Sequence, residues 1–331
     1  MNALDKDKVV VVLGMHRSGT SMLMNILVSL GVQVGTSLLP PSKWNPLGFW
    51  ENNEILNTHE KILSVVCREW ATPRASMPFP YQWWKWPEVQ ACKSDLIKLV
   101  KAERNGTDRL WGFKDPRTAI LLPLWFEIFE ELGLEPIFLL AVRHPHSVGR
   151  SLYVRDKLPP VAAQILWLKT NVNAIILTEG KIKAIVDYDR WFTHPREQAN
   201  SVFSVLSQVI ELDEMRMQKA LDSIVRPSLR HHVPPSSNAC SPLVLKYYKL
   251  LLQWAAEEKM PSELWKTATD FYESYELLGQ WADYAVNQES IRIQLERFFR
   301  RPLWKIMRDR IISALLPNKT CSLPFLHKTG M

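Results

Sequence analysis

Cysteine is scarce and scattered in this chain. The four cysteines, Cys67, Cys92, Cys240 and Cys321, form no C-x-x-C pair and have no histidine nearby at ligand spacing. That excludes a zinc-binding pattern and points to reduced thiols in a reducing compartment. No apolar stretch reads as a membrane span, and no internal repeat or low-complexity tract is present. Met1 to Lys8 is polar and leads straight into a first strand, leaving no room for a signal peptide or anchor, so the cytoplasm is the expected location. Asn105-Gly106-Thr107 and Asn318-Lys319-Thr320 fit the glycosylation pattern, but without a secretory signal they read as chance matches.

What is present is an ordinary globular composition, 331 residues with 47% apolar and 23% charged side chains, long enough to bury a sizeable core. The net charge of +7 calls for an acidic partner: a multiply anionic cofactor, an acidic glycan, a membrane surface or nucleic acid. Charge alone does not choose among them. Nucleic acid has no module signature here and is not expected.

The chain is organised around Val9 to Ser21, VVVVLGMHRSGTS. Val9 to Leu13 reads as a buried strand, Gly14 to Gly19 as a tight loop, and the periodic Met22, Leu23, Ile26, Leu27 and Leu30 as a helix. Such a loop gathers backbone N–H groups and the positive end of a helix dipole around one point, which suits a phosphate or sulfate. Gly14 and Gly19 have the spacing of the nucleotide-triphosphatase loop G-x-x-x-x-G-K-[ST], and Ser21 holds its hydroxyl position, but Thr20 stands where the lysine belongs. ATP or GTP hydrolysis is therefore disfavoured. Arg17 supplies positive charge from within the loop instead.

Arg17-Ser18-Gly19-Thr20-Ser21 after a first strand resembles the 5′-phosphosulfate loop of the sulfotransferases that use 3′-phosphoadenosine 5′-phosphosulfate (PAPS). The second half of that signature, an R-x-P segment after a later strand with a serine eight residues on, is matched by Arg143-His144-Pro145 and Ser151. The resemblance implies that Arg17, Ser18, Gly19, Thr20 and Ser21 hold the phosphosulfate and that Arg143 and Ser151 bind the 3′-phosphate. A hydroxyl at Ser151, on a helix face shared with Ser147, can bond the phosphate that Arg143 pairs with in bidentate fashion. The resemblance reaches from Val9 to about Phe192 and points to the bacterial-type glycan branch.

Three further features fall between these motifs. Glu51 lies in a stretch bent by proline and glycine, Asn45-Pro46-Leu47-Gly48-Phe49-Trp50-Glu51-Asn52. Desolvation there would raise its pKa toward that of an effective base, and related enzymes use a glutamate in an equivalent loop. The alternative is that Glu51 caps a helix beginning near Asn52 or Asn53. Leu110 to Phe113 reads as a strand that delivers Lys114-Asp115-Pro116-Arg117 to its carboxyl end, where open α/β sheets bind ligands. The family has a lysine there reaching the bridging and sulfonate oxygens, and Lys114 matches it. Pro116 occupies the position of the cytosolic branch's catalytic histidine. Asp115 reads as a turn or pairing residue. Trp70, Trp83, Trp84 and Trp86 sit in an insertion over about 59–109, either as core and lid residues or as the lining of an acceptor groove.

Gly31 to Gly35, Ile137 to Val142 and Ile182 to Val186 complete the expected strands. The predicted fold is α/β, a P-loop-like parallel sheet flanked by helices, with a helical C-terminal extension. Residues 1–235 form the expected core and 236–331 an extension packed on it. Arg226, Arg230, His231 and His232 precede the 234–237 linker, where relatives fold a loop over the adenosine end, and Arg230 is the expected second phosphate contact. Asp189, after the last strand, is a candidate for fixing a cofactor-side arginine. His144 and His146 lack further ligands, so no metal is expected. Residues 289–316 are basic and amphipathic. They suit a peripheral contact with the inner face of an anionic membrane, a solvated helix packed on the domain, or a dimer contact.

The function these residues imply is in-line transfer of a sulfonyl group from PAPS to an acceptor hydroxyl or amine, on a glycan or lipid-linked glycan in preference to a small phenol. Arg17 and Lys114 would stabilise the developing charge and Glu51 would take the acceptor proton. The rivals are a P-loop small-molecule kinase and a non-catalytic nucleotide-binding P-loop domain.

Overall fold

The computed structural model describes residues 8–70, 73–105, 110–227 and 240–299, with side chains in the last helix described as far as Trp281 and at Tyr284. Arg230, His231, His232, the 234–237 linker, Gly106, Thr107, Cys321 and the basic stretch beyond Phe299 lie outside the described residues. Met1–Leu277 form one compact unit and Leu278–Met331 a second.

The first unit is built on four parallel strands in the order β2-β1-β3-β4: β1 Lys8–Leu13, β2 Trp111–Lys114, β3 Glu135–Val142 and β4 Ile182–Asp187. This is the α/β architecture the sequence pattern predicts. Alternate side chains of β1 enter two different cores, as strand geometry requires. Val9, Val11 and Leu13 pack with Phe113, Leu140, Trp125 and Trp167, while Val10 and Val12 pack with Leu23, Leu27, Ala141 and Val202.

Helices cover both faces. α1 (Thr20–Ser29) follows β1. α2 (Asn53–Val65) and α3 (Pro87–Arg104) fill the connection to β2, and α4 (Thr118–Leu132) leads on to β3. α5 (Pro145–Asp156) and α6 (Pro160–Leu177) join β3 to β4. The chain continues through α7 (Arg190–Thr193), α8 (Pro195–Leu206), α9 (Glu214–Ile224) and α10 (Pro242–Glu257) to α11 (Ser262–Phe299).

Two expectations need correction. The strand expected at Gly31 to Gly35 is only a single bridge, Gln33 to Trp111. Gly31 turns the chain with φ 111° as it leaves α1, and the chain departs from the sheet edge after one residue. The stretch read as a segment of its own from residue 289 instead begins inside a longer helix, α11, because residues 263–288 hold no proline and a single glycine does not stop a helix.

Candidate active site

The carboxyl ends of the strands deliver the site. β1 runs into the Gly14–Gly19 loop, β2 ends at Lys114, β3 is followed by Arg143, and β4 by Tyr188. Since β1 connects to β2 on one side and lies beside β3 on the other, the loop sits at the sheet's switch point, where crevices form in open α/β sheets. Gly14 has φ 138°, and a Cβ there would stand 2.4 Å from the Ala141 carbonyl oxygen, so only glycine lets the loop leave the strand this close to β3. Gly19 is the N-cap of α1, with φ 89° and no capping side chain, and a Cβ on it would lie 2.5 Å from the Tyr188 ring. The first turn of α1 thus keeps its N–H groups open toward a cavity of ≈ 950 Å³, its part open to solvent included.

Positive charge gathers around that turn. Arg17, held at φ 68°, donates from Nε to Ser151 Oγ at 2.9 Å and from a terminal nitrogen to the Trp44 carbonyl at 3.0 Å. Burial, with Arg155 and Arg143 close by, lowers its pKa to about 10, which leaves it charged at neutral pH. The Arg143 guanidinium lies over the Tyr188 ring at 4.1 Å and donates to the Arg17 carbonyl at 3.2 Å. Its own carbonyl accepts from Trp167 Nε1 at 3.1 Å. Ser18 is buried, and its hydroxyl has no hydrogen-bond partner among the described residues beside the first turn of α1.

Lys114 is buried, and its Nζ lies 2.5 Å from Glu51 Oε1 and 3.1 Å from Ser21 Oγ. Glu51 therefore reaches into the cavity. The helix that follows is capped by Asn52, whose Oδ1 accepts from the N–H groups of Glu54 and Ile55 at 2.9 and 3.2 Å. Asn52 thus takes the helix cap that the sequence left open for Glu51.

Asp115 accepts from the Arg117 N–H at 2.7 Å and pairs with its guanidinium at 3.0 Å. His59 Nε2 accepts from Trp125 Nε1 at 2.9 Å, which leaves Nδ1 as the protonated nitrogen, 3.3 Å from Asp115 Oδ1. Burial alone would raise the Asp115 pKa, but Arg117 and His59 outweigh it and hold the carboxyl well below the usual range. Arg117 also binds Glu60. This buried network fixes the turn that carries Lys114.

Several lining residues were not singled out from sequence. His16 is buried, stacks on Trp70 with ring centroids 3.6 Å apart, and lines the cavity. Burial, then the nearby Arg117 and Arg155, push its pKa well below the histidine value, so it is neutral. Arg155 lines the cavity and is paired with Asp156 at 2.7 and 2.8 Å. Arg226, which the sequence did place in the basic cluster before the 234–237 linker, lines it too. Thr20 and Ser21 border the cavity with Arg17 and Gly19. The Trp-rich insertion divides: Trp83 is buried, while Trp70, Trp84 and Trp86 pack at the edge of the core. Among the described residues no three carboxylate, histidine or cysteine side chains gather into a metal-binding group.

No protein-family model matches the chain, and a search of curated proteins finds no match. Among solved structures the chain is similar to the sulfotransferase domain from the Synechococcus PCC 7002 olefin synthase. The identity is 18% and the TM-score 0.40, over 81% of this chain and 94% of that one.

Proposed function

We propose that the protein transfers a sulfonyl group from PAPS to an acceptor hydroxyl, on a carbohydrate or glycoconjugate. The observation that carries this reading is the convergence of two sequence motifs at one cavity: Arg17, Gly19, Thr20 and Ser21 from the first loop line it together with Arg143 from beyond β3, and the motifs are joined by the Arg17–Ser151 and Arg143–Arg17 hydrogen bonds. The residues present suit the donor. The open first turn of α1 and the unpartnered Ser18 hydroxyl suit a phosphosulfate, and Arg143, stacked on Tyr188 with Ser151 nearby, suits a 3′-phosphate.

PAPS supplies an activated sulfur–oxygen bond to the 5′-phosphate. In the transfer that bond breaks, a bond forms from sulfur to the acceptor oxygen, and the acceptor's proton passes to the Glu51 carboxylate. The N–H groups at the start of α1, Arg17 and Lys114 stabilise the charge that develops on the leaving phosphate oxygen and on the sulfonyl oxygens. They are fixed before reaction: Lys114 is held between Ser21 and Glu51, and its strand end is braced by the Asp115–Arg117–Glu60 network. His16 and Pro116 line the same cavity as Glu51 and Lys114. A cytoplasmic location goes with the reduced cysteines.

Transfer of labelled sulfonyl from PAPS to a panel of sugars, glycolipids and phenols tests this reading. Label on a sugar hydroxyl that disappears in Glu51→Gln supports it. Label transferred only from ATP would replace it with the kinase reading.

A further inference from the structure

The transfer step uses Glu51, Lys114 and Arg17 and leaves one buried polar side chain of the cavity without a task. His16 lines the cavity and is 8% exposed, and its Nε2 has no hydrogen-bond partner among the described residues. Its ring stacks on Trp70 with centroids 3.6 Å apart and 22° between the planes. Stacking alone does not call for histidine, since a phenylalanine would stack as well and bury no polar atom. A ring nitrogen shut away from water without a partner is destabilising, and a bound group that satisfies it would lift that burden. A half-turn of the ring about its Cβ–Cγ bond keeps the ring plane, and with it the stack on Trp70, while exchanging the places of Nε2 and Cε1. The imidazole can therefore turn a nitrogen toward a ligand without leaving Trp70.

Charge decides what kind of group that is. Burial, then Arg117, Arg155 and Lys114, outweigh Asp115 and hold the ring neutral. A phosphate or sulfate is best met by a cation, and Arg17, Arg143 and Lys114 already line the cavity in that capacity. A neutral imidazole has one donor and one acceptor nitrogen, which matches a hydroxyl, itself both donor and acceptor. In the transfer proposed above the reacting hydroxyl belongs to Glu51, so the hydroxyl left for His16 is a second one. Sugars carry it, and monohydric phenols and alcohols do not.

We propose that His16 hydrogen-bonds a second hydroxyl of a polyhydroxy acceptor and thereby selects which hydroxyl is presented to Glu51. This rests on the transfer reading above and adds to it the feature of the acceptor that is recognised. Trp70 acts through His16: it is stacked on the imidazole and does not itself line the cavity, so its part is to hold the ring plane.

The probes are the methyl glycosides of glucose, galactose, mannose and N-acetylglucosamine with their monodeoxy analogues, titrated calorimetrically into protein saturated with 3′-phosphoadenosine 5′-phosphate. At least one glycoside should bind, and removing one particular hydroxyl should weaken it roughly three- to ten-fold, the worth of a neutral hydrogen bond. His16→Phe should weaken the parent glycoside by the same factor and leave that monodeoxy analogue no weaker than before. His16→Gln, which keeps a polar end, should recover part of the loss. Should His16→Phe fail to fold, the imidazole nitrogen NMR shifts of His16 in the wild type decide instead: they should move with the glycoside and not with the analogue. Equal binding by wild type and His16→Phe overturns the proposal, as does the failure of every glycoside to bind. So does a loss of 3′-phosphoadenosine 5′-phosphate affinity in His16→Phe as large as the loss for the glycoside, which would assign His16 to the donor. If the wild type does not bind 3′-phosphoadenosine 5′-phosphate at all, the donor reading fails by itself, and the same glycoside comparison on the free protein still decides the role of His16.

Discussion

Arg17 Nε donates to Ser151 Oγ across 2.9 Å, joining residues 134 apart in the sequence. The bond fixes the guanidinium beside the open turn of α1 and ties the two halves of the proposed donor site together. Ser151→Ala should leave the fold intact and weaken binding of 3′-phosphoadenosine 5′-phosphate roughly ten-fold, the usual worth of a hydrogen bond to a charged group. Isothermal titration measures it. A change under two-fold would mean that Ser151 is only a packing residue.

Lys114 and Glu51 are each buried and each other's nearest charge. Removing one partner leaves the other uncompensated, so Lys114→Met should cost about 3–5 kcal/mol in urea unfolding. The double variant Lys114→Met, Glu51→Gln should recover a good part of that. Glu51→Gln alone should retain donor binding and reduce transfer by roughly a hundred to ten thousand fold, as expected for loss of a base.

Gly14→Ala should be the most damaging small substitution in the loop. Its Cβ would meet the Ala141 carbonyl oxygen at 2.4 Å, and backbone cannot yield as a flexible side chain can. A loss of about 3 kcal/mol is expected in thermal unfolding. At Gly19 the obstacle is the Tyr188 ring, so Gly19→Ala should displace the surface on which Arg143 stacks and lose donor affinity more than stability.

Acidification should destabilise the protein through His16. Its folded pKa lies below the ordinary value of 6.5, so the unfolded chain takes up a proton that the folded chain refuses. The stability it contributes is present above about pH 6.5 and declines as pH falls through and below that value, by up to about 1.4 kcal/mol per unit. Arg117, Arg155 and Lys114 oppose its protonation and Asp115 favours it. Urea midpoints between pH 7.5 and 5 should fall for the wild type and fall less for His16→Asn. Asp115 adds a separate loss only below about pH 4, where its unfolded carboxyl takes up a proton.

The local parts of this arrangement are legible in the sequence. An apolar run followed by two glycines and a periodic segment specifies strand, loop and helix, and Arg143 and Ser151 are one motif on one strand–helix junction. Contacts made only by folding leave no such trace. The Trp44 carbonyl that receives Arg17, the Trp70 ring beneath His16 and the Tyr188 ring beneath Arg143 all come from distant segments. Glu51 shows why neighbours are hard to separate: burial and capping were both open to it until Asn52 took the cap. His16 could have been noticed as a titratable group inside an anion loop, but only its stack and burial make it neutral.

The central claim is that Arg143 and the loop at Arg17 form a site for a nucleotide bearing a 3′-phosphate. Calorimetric titration of 3′-phosphoadenosine 5′-phosphate, against ADP, 5′-AMP and ATP with Mg²⁺, tests it on the wild type and on Arg143→Ala. The account predicts tight binding that requires the 3′-phosphate and falls at least a hundred-fold in the variant, as expected for the loss of a bidentate ion pair. Equal binding of 5′-AMP, or preference for ATP with Mg²⁺, would contradict it.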